Sequence, residues 1–161
     1  PLFKRGRSRR VTNRISGRFV DVDCMLFDYR FTSGSGKNSS TYNQTVVAFK
    51  VGHGQLPDFT CKPEHFFHKF ADMFGYEDIN FPEHPNFSKK YRLNGDNEAA
   101  VRKIFNNEVI EQLEQSGAKA WSVDGAGEWL VIHRARTIVK PEDCSQFLLD
   151  STTLLNAMTL D

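Results

Sequence analysis

The chain has 161 residues, 39% of them hydrophobic and 25% charged, which suits one globular domain with its own core. It holds no apolar run of the roughly 18 residues a spanning helix needs. Its net charge of +1 is unevenly spread: seven of the 21 Lys and Arg lie in residues 1–18 without an acid, leaving 14 basic against 20 acidic residues beyond. That acidic remainder argues against a nucleic-acid partner, because a duplex would meet repulsion over most of the surface.

The first segment is the arm "KRGRSRRVTNR", with Lys4, Arg5, Arg7, Arg9 and Arg10 as its densest part. Such a run is a solvated terminus, a nucleic-acid contact, or a juxtamembrane segment that attracts anionic lipid. The last is expected here, with residues 1–17 as the arm and 18–161 as the domain. Residues 18–32, "RFVDVDCMLFDYRFT", alternate with period two. Val20, Val22 and Cys24 share one phase, and Phe27, Tyr29 and Phe31 the other. The phase change near Met25 predicts a bulge or a break into two strands. Residues 41–51, "TYNQTVVAFKV", form another β-branched and aromatic run, so "SGSGKNSS" between them is a hairpin loop.

Pro63 is expected at the first turn of a helix whose stripe is Phe66, Phe67, Phe70, Met73 and Phe74, stopped by Gly75. An irregular connection follows, and "KKYRL" reads as a short strand. Asp96 would cap a helix with the stripe Val101, Ile104, Phe105, Val109 and Leu113, kinked or split at Asn106-Asn107. Residues 118–136 read as a second hairpin, "KAWSV" and "EWLVIHRA" around a "DGAG" turn. Pro141 opens a last helix with Cys144, Phe147, Leu148, Leu155 and Met158 on its stripe. The order predicts an α+β fold: a single domain with an antiparallel sheet from two hairpins and about three helices on one face. Its core should contain Phe27, Tyr29, Phe67, Phe70, Phe105, Trp129 and Phe147.

Motifs that carry chemistry are scarce. Gly36-Lys37 resembles a phosphate loop only in passing. The first glycine of that motif would fall on Phe31, Asn38 replaces the magnesium-binding hydroxyl, and a strand follows where a helix should. His65 and His68, three apart and beside Glu64 and Asp72, are weak metal candidates, with His84 the nearest third ligand. Nothing matches a nucleophile elbow. Cys24 and Cys144 fall on apolar phases and read as inert thiols. With Cys61 they form no metal or disulfide spacing, so a reducing compartment is expected and the sequons at Asn38, Asn43 and Asn86 are chance matches. The chain therefore leans away from being an enzyme and calls for no cofactor. An enzyme or metal-dependent hydrolase with a small-molecule cleft near His65 and His68 is the alternative.

Several stretches carry a resemblance. "FDYRFTSGSGKNSSTYNQTVV", "LPDFTCKPEHFF", "FGYEDINFPEHPNFSKKYRLNGDNEAAVRKIF" and "PEDCSQFLLDSTTLL" resemble a family of uncharacterised bacterial proteins. The most specific run is Phe87-Ser88, Tyr91, Leu93, Gly95, Glu98 to Arg102, and Phe105; Asn107 stands where members often carry Pro. In that family one or two predicted N-terminal membrane helices precede a soluble domain of this length. The resemblance implies no activity and no catalytic residues. It implies a membrane-anchored bacterial protein whose anchor lies upstream of Pro1. The domain would then be cytoplasmic and act by binding a protein partner and an anionic membrane surface.

Overall fold

A computed structural model describes residues 2–52, 56–67, 77–158 and 160. The centre is one seven-stranded antiparallel sheet. In chain order the strands are β1 (Arg7–Phe19), β2 (Val22–Ser33), β3 (Ser40–Lys50), β4 (Leu56–Pro63), β5 (Tyr91–Gly95), β6 (Ser122–Gly127) and β7 (Trp129–His133). The helices are α1 (Glu64–Phe67), α2 (Pro85–Lys90), α3 (Glu98–Ile104), α4 (Asn107–Gln115) and α5 (Cys144–Ala157). Strand order is β1-β2-β3-β7-β6-β4-β5, so two separate stretches of chain meet at the β3–β7 seam. The α+β class is as the sequence predicts; two hairpins and three helices is too simple a count.

β2 and β3 carry a buried cluster on each face, and this accounts for the change of phase near Met25. β2 pairs with β3 without a break from Asp23↔Lys50 to Ser33↔Ser40. Leu26 faces the helices, where it joins Val47, Phe49, Leu130, Ile132 and Val123 in one core with Val101, Phe105, Val109 and Phe147. Phe27, Tyr29 and Phe31 point the other way, into a second cluster with Leu2, Tyr42, Val46, Ala48 and Val131. A strand covered on both sides needs apolar residues in both phases, and no bulge is required. Val20 belongs to neither phase. It sits in the two-residue turn between Phe19 and Val22.

A short 3-10 turn, Leu2–Lys4, covers the second cluster, together with Arg5. The ring of Phe3 lies 5.1 Å from that of Tyr29, edge to face, and Phe31 stacks on Tyr42 at 4.9 Å. Gly6 makes this return possible. Its φ is +61°, and a Cβ there would stand 2.3 Å from the Thr32 carbonyl oxygen.

Three further expectations change. Pro63 ends β4 and does not open a helix; the strand in "LPDFTCKP" is masked in sequence by its two prolines. "DGAG" lies inside β6, and the turn falls at Gly127-Glu128. Gly125 is needed there because a Cβ would meet the Phe59 ring at 2.2 Å. The helix cap is Asn97, whose side chain accepts from Ala100 N–H at 3.1 Å, and not Asp96. The split at Asn106 holds: its side chain caps α4 by accepting from Val109 N–H at 3.1 Å. Phe105 is buried at 1% exposure, edge-on to Phe59. Phe27, Tyr29 and Phe147 are buried too, Trp129 is half-buried, and the Phe67 side chain and Phe70 lie outside the described residues.

Candidate functional site

The basic segment is not an appendage. Arg7–Phe19 is one strand, the outer edge of the sheet, and its side chains are exposed from Arg7 to Arg18. A boundary at residue 17 therefore cuts through β1. The strand escapes a periodicity search because neither of its faces is apolar. Two register shifts, between Arg7 and Arg10 and between Thr12 and Ile15, interrupt its pairing with β2. Ser8 and Asn13, both at φ 53°, mark these bulges.

The five residues of the expected lipid site separate into three environments. Arg7, Arg9 and Arg10 are exposed on β1, joined there by Arg14 and Arg18. Arg7 donates to the Gly34 carbonyl and Arg9 to the Phe3 carbonyl, each at 2.7 Å, which fixes their direction without neutralising them. Lys4 is exposed, 3.9 Å from Asp58. Arg5 is buried, 1% exposed. Four of the six large hydrophobic residues exposed among the described residues also cluster in this region: Phe3, Val11, Ile15 and Val20. The result is a ribbon edge carrying guanidinium groups and apolar side chains side by side.

Arg5 enters a buried ionic cluster that nothing local in the sequence announces. Its guanidinium lies 3.5 Å from Asp124 on β6. The second carboxylate oxygen of Asp124 lies 4.0 Å from Lys62 Nζ and 3.7 Å from His133 Nε2. Thr60 Oγ1 donates to Asp124 at 2.6 Å. Strand register explains the meeting, since Thr60 pairs with Asp124 and Ser122 with His133. Burial pushes the Asp124 carboxyl up, but Arg5 and His133 outweigh it and hold it well below the usual carboxylate range. Burial in turn lowers the Arg5 guanidinium against the pull of Asp124.

Among the described residues the histidines are not brought together. His65 is exposed, its ring 4.2 Å from that of Phe66. His84 Nε2 is 3.0 Å from Asn107 Oδ1. Glu64 is engaged by Arg92, which also bonds Asp78 at 2.6 Å. His68 and Asp72 lie outside the described residues. Among the described residues no three His, Cys, Asp or Glu gather as a metal site. Cys61 is buried and its thiol is pushed well up by burial. Cys24 and Cys144, half-buried and not in the core as expected, are raised by burial as well, so none of the three is an activated nucleophile. Lys37 sits in an exposed 3-10 turn, Gly36–Asn38, that leads into a strand, β3, and not into a helix.

Among the described residues no helix is long and apolar enough to cross a membrane. Compared with family models, with curated proteins and with solved structures, the chain matches none.

Proposed function

We propose that this is a non-catalytic binding domain of a membrane-anchored bacterial protein, lying on the cytoplasmic side and holding a protein partner near the bilayer. In this reading β1 rests on the anionic leaflet. The observation that carries it is the row Arg7, Arg9, Arg10, Arg14 and Arg18 on an exposed edge strand, beside exposed Val11, Ile15 and Val20. Guanidinium groups meet lipid phosphates while apolar side chains enter the headgroup boundary. A strand fixes these charges in one line, whereas a free tail would lose conformational entropy on binding. The acidic remainder of the domain is repelled by the same leaflet and so orients it.

Co-sedimentation with vesicles tests this. Binding is expected to vesicles containing phosphatidylserine, to weaken with salt, and to be absent from neutral ones. Each near-surface Arg contributes roughly 1 kcal/mol toward an anionic leaflet, so replacing Arg7, Arg9, Arg10 and Arg14 by Ser should weaken partitioning by about 100-fold or more. The thermal midpoint of that variant should stay close to the parent's, because these side chains are exposed. Equal binding to both vesicle types, undiminished binding by the variant, or tighter binding to duplex DNA would overturn the proposal.

A further inference from the structure

On the face opposite the main helical core, between the N-terminal turn and the strands, lies a cavity of about 20 Å³. Leu2, Arg5, Gln44, Lys62, Ser122 and His133 contribute to its wall, none of them more than 4% exposed. The polar part of that wall is rich in donors. Arg5 and Lys62 can only donate. Gln44 Nε2, Ser122 Oγ and His133 Nδ1 have no hydrogen-bond partner, and His133 Nε2 faces Asp124 at 3.7 Å. The acceptor end of Gln44 is already used, taking the Arg136 N–H at 3.4 Å. Asp124, the carboxylate of the neighbouring cluster, is not part of the wall, and no other carboxylate of the described residues is.

Buried donors left unmet are rare and costly, and an unseen ion or water commonly explains them. A cavity of this size accepts one particle little larger than water, whose own requirement is about 10–15 Å³. A cation is repelled by Arg5 and Lys62. A water could direct its protons only at Ser122 Oγ and the unprotonated His133 nitrogen, and it would leave Arg5 and Lys62 facing no negative charge inside the cavity. We infer that the cavity is a structural anion site taking one dehydrated monoatomic anion, with chloride the fitting case. Phosphate and carboxylate ligands are too large.

The ion would be held from the sheet by Lys62, Gln44, Ser122 and His133, and from the N-terminal turn by Arg5. It therefore pins the start of the chain to the face that Leu2 covers. This inference is independent of the lipid reading, because none of its donors lies on β1.

Thermal unfolding of the full chain in sodium chloride, sodium bromide and sodium gluconate at equal ionic strength tests it. Above the dissociation constant, each tenfold rise in chloride should raise the midpoint by roughly 3–5 °C. Bromide should act likewise, and gluconate should not. Ser122→Ala removes one donor without a change of charge and should move the chloride response to higher concentration. Lys62→Met should abolish it; if that variant fails to fold, Ser122→Ala still decides. Equal midpoints in chloride and gluconate would mean that water fills the cavity. An unchanged halide response in Ser122→Ala would mean general salt action. Either result overturns the site.

Discussion

Asp124 is the residue on which the polar half of the second face depends. It compensates Arg5 and Lys62, with His133 beside it, in a region closed to water. Removing one partner of such a cluster leaves buried charge uncompensated, so Asp124→Asn is expected to lose about 3–5 kcal/mol in urea unfolding. The folded carboxyl lies below its unfolded value near 3.9, so its contribution is fully present above that pH. It is lost as pH falls through the depressed folded value. The parent should therefore destabilise on acidification below about pH 4, and Asp124→Asn should show a shallower acid slope. An equal slope would mean that other carboxylates dominate. None of this was legible in sequence. Arg5 looks like its neighbours in a charge run, and "DGAG" has turn composition. The partners of both residues come from distant strands.

At the scale of elements, the β1–β2 hairpin closes on Val20-Asp21, with φ 46° and 65°. Both values are positive, the pattern of a type I′ turn, which favours Asn-Gly. A β-branched residue in the left-handed region is strained by roughly 1–2 kcal/mol. Val20→Asn should relieve part of that strain and raise stability by about 1 kcal/mol, with the urea slope unchanged. A loss instead would mean that the Val20 side chain packs somewhere. β1 itself could not be recognised from its sequence. Strands are read from alternation, and alternation records burial of one face; β1 buries neither. Where burial was one-sided, the reading succeeded: the stripes of α3 and α5 and the break at Asn106 follow from helical spacing and caps. β4 failed for the opposite reason, since its signal is interrupted by Pro57, Asp58 and Lys62 although Phe59, Thr60 and Cys61 are buried.

For the whole molecule, the decisive fact is that one sheet serves two cores. Helices cover one of them. The other depends on the turn Leu2–Lys4 and Arg5 folding back at Gly6. Leu2 is 1% exposed, so Leu2→Ala should cost about 2–5 kcal/mol, as a core position would. A loss under about 0.5 kcal/mol would mean that the turn only rests on the sheet. An expectation of helices on one face follows from apolar helical stripes, which α3, α4 and α5 carry; most of the stripe from Phe66 to Phe74 lies outside the described residues. Coverage of the other face came from residues that composition assigns to a soluble tail. The cations of the lipid expectation are fixed on a strand, and Arg5 leaves their number.

The β3–β7 seam has a consequence for the order in which the chain acquires its shape. Strands β1, β2 and β3 form a local meander that is complete by Lys50. Its inner edge, Val46 to Lys50, waits for Trp129–His133. At ribosomal rates of about 5–20 residues per second, the roughly eighty residues between them take about 4–16 s. During that interval an edge containing Val46, Val47 and Phe49 is unpaired, while the outer edge is already guarded by bulges and arginines. A nascent chain of this protein is thus most open to strand exchange along its eventual centre, which makes that seam the place where a holdase chaperone would engage it.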